Sequence, residues 1–129
     1  HWSLWNQVAR DLSRERGLSL VETARLYALV NVAIQDGVQT SHASKFVYGF
    51  WRPITAIRRG NDDLNDTTVG DPTWTPLLAT PPYPSHAGNM ACVSASAARA
   101  MERYWDTDGA PFTVRWFDTA GNLILARSY

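Results

Sequence analysis

Ser19-Leu20-Val21-Glu22-Thr23-Ala24-Arg25-Leu26-Tyr27-Ala28-Leu29-Val30-Asn31-Val32-Ala33-Ile34 is the stretch that sets the fold class. Ser19 and Glu22 have the spacing of a capping box, in which the Ser side chain accepts from the backbone of the first turn and the Glu side chain reaches back. A helix is therefore expected to start here. From Leu26 to Ile34 only Asn31 is polar, and apolarity on every side predicts a helix surrounded by others, at the centre of a bundle.

Upstream, Leu4, Trp5, Val8 and Leu12 recur at helical spacing. Arg10, Asp11, Arg14, Glu15 and Arg16 fill the opposite side until Gly17 interrupts, so an amphipathic surface helix precedes the central one. Downstream, Gly37 offers a break, yet helical composition resumes from Ser44 to Trp51. Pro53 then removes a donor and turns Arg52 away from helical angles, which places Arg52 at a helix end. Between Arg59 and Ser85 lie Gly60, Gly70, five prolines and the acids Asp62, Asp63, Asp66 and Asp71, with no periodicity. A loop of that length usually lines or covers a site, and Trp74 and Tyr83 are available to pack it down. His86 to about Tyr104 is a helix of Ala, Ser and Met that can approach its neighbours closely. Phe112, Val114 and Trp116 alternate, Ala120-Gly121-Asn122 offers a turn, and Leu123 and Leu125 alternate again, which predicts a short C-terminal β-hairpin.

Composition narrows the function classes. At 129 residues the chain is expected to form one domain, residues 1–129. Twelve Lys plus Arg balance twelve Asp plus Glu, so no global field draws it to nucleic acid or an anionic membrane. No stretch approaches eighteen uninterrupted apolar residues, so no membrane span is expected. Cys92 is the single cysteine, which excludes an internal disulfide and, with three His, argues against a structural zinc.

The chemistry gathers at Lys45-Phe46-Val47-Tyr48-Gly49-Phe50-Trp51-Arg52-Pro53 and at Pro84-Ser85-His86-Ala87-Gly88. On a continuous helix, seven steps would return Lys45 and Arg52 to one face, roughly 10 Å apart along the axis. Ser85 stands at an expected helix start, where unpaired N–H groups and the macrodipole favour an anion and the hydroxyl adds a donor. Lys45 is a compact charge and Arg52 a planar fork, together suited to a tetrahedral oxyanion. His86 beside them is a proton carrier for neutral pH. Taken singly, these residues read as a solvated stripe, an N-cap and an exposed imidazole; their combination carries the argument. Tyr48, Phe50 and Trp51 read as core, and Asp36 as a cap or local ion partner.

Lys45 through Pro53, running on as Ile54-Thr55-Ala56-Ile57-Arg58, resembles the first signature of the vanadium-dependent haloperoxidase and type 2 phosphatidic acid phosphatase (PAP2) superfamily. Asp71-Pro72-Thr73-Trp74-Thr75-Pro76-Leu77 and Pro81-Pro82-Tyr83-Pro84-Ser85-His86-Ala87 are similar to the segment leading into its second signature. Ala24 to Leu29, followed by Asp36, resembles the bacterial soluble branch, whose members are sometimes exported. The resemblance implies an all-α helical bundle of the PAP2 and haloperoxidase type, here with a long Pro-rich loop. It further implies a pocket in which Lys45, Arg52, Ser85, His86 and Gly88 hold vanadate, or phosphate in the same place. In a peroxidase, Lys45 would polarise bound peroxide towards attack by halide; in an acid phosphatase the same cations would stabilise the transferring phosphoryl group. The partners so implied are small molecules: peroxide and halide, or a phosphate ester.

Two departures bear on activity. The family's second signature is Pro-Ser-Gly-His, whereas Ser85 is followed directly by His86, Ala87 and Gly88. Either His86 takes the acid-base role through a shifted helix start, or Ala87 occupies the imidazole position. The third signature, with a further Arg and the His that ligates vanadium or attacks phosphorus, would follow Tyr129. The chain therefore reads as an excerpt trimmed at both ends, and a non-catalytic helical piece is a third reading.

Overall fold

Ser19 and Glu22 form the expected box. The Glu22 amide donates to Ser19 Oγ at 3.3 Å, while Ser19 N and Oγ donate to Glu22 Oε2 at 2.9 and 2.6 Å. These bonds from Ser19 hold the Glu22 carboxyl below its ordinary pKa. The computed structural model describes residues 2–129. Its elements are α1 (Trp2–Glu15), α2 (Leu20–Tyr48), α3 (Pro53–Arg58), a 3-10 turn (Gly60–Asp62), α4 (Asn89–Trp105), β1 (Thr113–Phe117) and β2 (Leu123–Ser128). The architecture is mainly helical with one two-stranded antiparallel sheet. No helix among the described residues is long and apolar enough to cross a membrane.

The chain forms two compact units. The first takes the residues up to Gln39 and those from Asn89 onward. Its core joins Val8, Ala9 and Leu12 of α1, Leu26, Val30 and Ile34 of α2, Val93, Ala97 and Met101 of α4, and Val114 of β1. Asn31, the one polar residue in the apolar run, exchanges amide hydrogen bonds with Asn6 of α1 at 2.9 and 3.1 Å. Its side chain also donates to Tyr27 O, so the half-buried amide is satisfied. The small residues of α4 do allow close approach. A Cβ on Gly37 would meet Ser96 Oγ, Cys92 O at 3.1 Å and Ser96 Cβ at 3.2 Å.

Three expectations are corrected here. Gly37 does not break α2, which runs unbroken from Leu20 to Tyr48. The apolar run is not covered on every side, because Leu29 and Val32 are exposed while Leu26, Val30 and Ile34 face the core. Asp36 caps nothing; it is an exposed residue within α2.

The hairpin forms as its alternation predicts, pairing Thr113 with Ser128 and Trp116 with Leu125, with a register shift between Trp116 and Phe117. Asp118 closes its turn by accepting from the amides of Ala120 and Asn122 at 2.9 and 2.7 Å.

The second unit, Thr40–Gly88, carries the end of α2, α3 and the long loop. Gly49 takes φ +60 and donates its amide to Lys45 O at 2.9 Å, ending α2 with a left-handed residue. Arg52 is extended (φ −77, ψ 157), as a residue before proline should be, and Pro53 opens α3. The loop is tied down by short bonds. Asp71 accepts from Thr73 N and Oγ1 at 2.9 and 2.7 Å, and Arg58 Nε donates to Trp74 O at 2.8 Å. Gly60 and Gly70 cross so closely that a Cβ on either would come within 3.2 Å of the other's backbone.

Candidate functional site

Lys45 lies in the last turn of α2 and is only 1% exposed, which is rare for a lysine unless its ammonium has partners. Lys45 Nζ donates to Pro84 O at 3.1 Å and to Ser85 O at 3.0 Å. Arg52 Nε donates to Tyr83 O at 2.8 Å. Three successive carbonyls, those of Tyr83, Pro84 and Ser85, thus receive the two cations. The Tyr83 ring lies beside both heads, 5.2 Å from Lys45 Nζ and 4.8 Å from Arg52 Cζ. Ser85 is fixed from its other side, its amide donating to Phe50 O at 3.0 Å.

This geometry replaces the one-helix stripe. With α2 ending at Tyr48, Lys45 and Arg52 share no helix face, and it is the Tyr83–Ser85 segment that gathers them. Nor is Ser85 a helix cap, because α4 begins four residues later at Asn89. His86 is exposed, with its ring edge-on to Phe50 at 5.3 Å and to Tyr48 at 6.1 Å rather than against either cation. Gly88 is exposed further along the segment. Tyr48, Phe50 and Trp51, expected in the core, are exposed as well. Phe50, Trp51, Arg52, Thr80 and Tyr83 line part of an open groove of about 320 Å³.

Tyr83 is the residue that sequence reasoning undervalued. It was expected only to pack the loop, yet its ring and carbonyl both serve the cations. The available signal was its setting between Pro82 and Pro84, which restricts the backbone at that point.

A tetrahedral oxyanion fits this donor set in part. The terminal nitrogens of Arg52 and the hydroxyl of Ser85 take no hydrogen bond among the described residues. A planar fork bonded to Tyr83 O and a hydroxyl two residues along the same segment offer donors for two or three oxygens of one anion. Lys45, holding two carbonyls at the end of a buried stem, fits instead as the group that orders the Ser85 segment.

The family model described as the VCPO second helical-bundle domain matches residues 25–124, most of the chain. The chain belongs to this family. Vanadium chloroperoxidase of Curvularia inaequalis is a curated relative, 30% identical over 121 aligned residues. The alignment covers 79% of this chain and 19% of that protein, so the chain spans about a fifth of the relative's length. No solved structure matches at the same stringency. The matched range, residues 25–124, includes both the Lys45–Arg52 and the Tyr83–Gly88 segments. A relationship of the vanadium haloperoxidase and PAP2 type is thereby established for the chain.

Proposed function

We propose that the chain is the oxyanion-binding part of a single haloperoxidase-type domain. In this reading Arg52 and Ser85 hold vanadate, or phosphate in the same place, and Lys45 fixes the segment that presents Ser85. Vanadate, when bound, supplies the Lewis-acid centre for peroxide-dependent oxidation of halide. The protein's own contribution is positional and electrostatic. Arg52 offers two parallel N–H donors from its terminal nitrogens, and Ser85 a hydroxyl donor. His86, exposed at the edge of the Phe50 ring, gives or takes the proton that accompanies turnover. The supporting observation is that Arg52 keeps its terminal nitrogens uncommitted beside a segment fixed by a buried ammonium.

Titration calorimetry with orthovanadate and with inorganic phosphate tests the reading. Arg52→Gln and Ser85→Ala are each expected to weaken binding by roughly tenfold or more. Equal affinity in all three proteins removes the anion role. Halide oxidation with orthovanadate and peroxide then distinguishes a peroxidase from a phosphatase of the same superfamily, in which orthovanadate inhibits release of phosphate from an ester.

A second reading, in which the cations only order the loop and the chain is non-catalytic, draws on the commitment of Lys45 to Pro84 O and Ser85 O. It predicts no phosphate binding by any version.

A further inference from the structure

We propose that the exposed face of α2 in the first unit is a self-association surface, on which a second copy of this chain lays its own α2 antiparallel.

The sequence of α2 is apolar on more sides than the fold covers. From Leu26 to Ile34 only Asn31 is polar, yet Leu26, Val30 and Ile34 are buried with residues of α1 and α4 while Leu29 stays 43% and Val32 61% exposed. These two belong to an exposed stripe, Glu22, Arg25, Leu29, Val32, Asp36 and Gln39. Its alternating steps of three and four keep it on one side of the helix, as in a coiled-coil seam. From Glu22 to Asp36 the stripe lines one side of a groove of about 760 Å³, which α4 borders with Arg103 and Tyr104.

The order of the charges identifies the occupant. Arg25 and Asp36 stand eleven residues apart, about 16 Å along the axis, and among the described residues neither forms an ion pair. A twofold axis crossing α2 between Val30 and Asn31 sets Arg25 opposite the copy's Asp36, Leu29 opposite its Val32 and Glu22 opposite its Gln39. Each contact then occurs twice, as an isologous interface requires. A parallel alignment would set Arg25 against Arg25 and Asp36 against Asp36, so repulsion between like charges selects the antiparallel one. Any other partner would need its own acid and base at this separation with two apolar residues between them, whereas this chain carries that complement on the face itself. Ala28 and Ala33 flank the stripe and keep bulk low, so two helices can approach closely.

Sedimentation equilibrium of the 129-residue chain tests this. With a short apolar centre and two ion pairs, wild type should pass from monomer to dimer with a midpoint of roughly 10–100 µM. Arg25→Glu and Asp36→Arg each replace two attractive pairs by two repulsive ones and should weaken dimerisation roughly tenfold or more. The double variant restores opposite charges across the interface and should return to within about threefold of wild type. Because the two positions lie about 16 Å apart on one helix, that recovery cannot come from a contact within one chain. A wild-type chain that stays monomeric up to about 1 mM overturns the proposal and leaves the face to a different partner. A dimer that neither single substitution weakens, or that the double variant fails to recover, overturns the placement of the interface on α2.

Discussion

Replacing Lys45 by Met removes an ammonium but keeps most of its buried stem, which isolates what the charge does. Two charge-assisted hydrogen bonds are lost, to Pro84 O and Ser85 O. Bonds of this class contribute about 1.5–3 kcal/mol each. Two effects reduce the total. Pro84 and Ser85 are only half-buried, so water can replace part of what their carbonyls lose. The Met side chain also escapes the desolvation cost of a charge that is 1% exposed. The Pro84 and Ser85 carbonyls left behind are neutral, so their share of the penalty falls short of the extreme cost of orphaning a buried charge. We expect a local loss of about 2–4 kcal/mol at the Ser85 segment, the range left after re-wetting.

Native-state hydrogen exchange reads this directly, because the Ser85 amide is itself bonded to Phe50 O at 3.0 Å. At about 1.4 kcal/mol per tenfold, its exchange should quicken by roughly 30-fold to 1,000-fold in Lys45→Met. Amides of α1 should keep their protection, which separates local release from general unfolding. A Ser85 amide that exchanges within about threefold of wild type would mean that the ammonium does not hold the segment.

Three further outcomes are expected. Gly37→Ala gains helix propensity of about 1 kcal/mol yet should lower stability by about 1–3 kcal/mol, because the added methyl meets Ser96 and the unyielding Cys92 carbonyl; a raised melting temperature would refute the close packing of α2 on α4. Hydrogen bonds from Thr73 lower the Asp71 pKa, so this turn's contribution is complete above the ordinary carboxylate range and is lost as the pH falls through the lowered folded value; Thr73 amide protection should fall on acidification, and a rise would contradict the sign. Arg52→Lys should bind phosphate about as poorly as Arg52→Gln in the calorimetric titration, since an ammonium lacks the planar fork that serves Tyr83 O through Nε while presenting two terminal nitrogens to an anion; wild-type affinity would show that the fork is not used.

The parts of this fold that could be read from sequence are those governed by neighbours in the chain. Ser19 and Glu22 sit three residues apart and cap what they should; Gly17 ends the surface helix; Asp118 to Asn122 turn between two alternating strands. The reading failed where a local signal had to be weighed against an apolar run. Gly49 and Pro53 are a helix stop and a helix start, but the aromatic Phe50 and Trp51 between them continue the apolar pattern, which puts the seven-step spacing of Lys45 and Arg52 on one helix. The left-handed Gly49 shows which signal prevails. Ser85 failed in a similar way, since a serine after proline reads as a cap even when the helix waits until Asn89. The residue types of the site were legible, while their convergence was not, because Lys45 meets Pro84 and Ser85 across 39 and 40 positions and no periodicity encodes such a contact.

That convergence changes what an anion has to compete with. If Lys45 and Arg52 stood in water on one helix face, a ligand would displace only their hydration, and binding would be weak and strongly screened by salt. Here the positive charge already rests on peptide dipoles and a ring, all drawn from Tyr83 to Ser85. An anion that used Lys45 would have to displace two carbonyls and release the very segment that presents Ser85. An anion that used the terminal nitrogens of Arg52 and the Ser85 hydroxyl would displace nothing but water. The second route leaves every observed bond in place, so in the proposed reading the two cations divide the work: Lys45 maintains the shape of the segment and Arg52 would meet the ligand. It follows that the anion affinity of Lys45 variants should track the order of the Ser85 segment, whereas loss of Arg52 should weaken binding even where that segment stays protected.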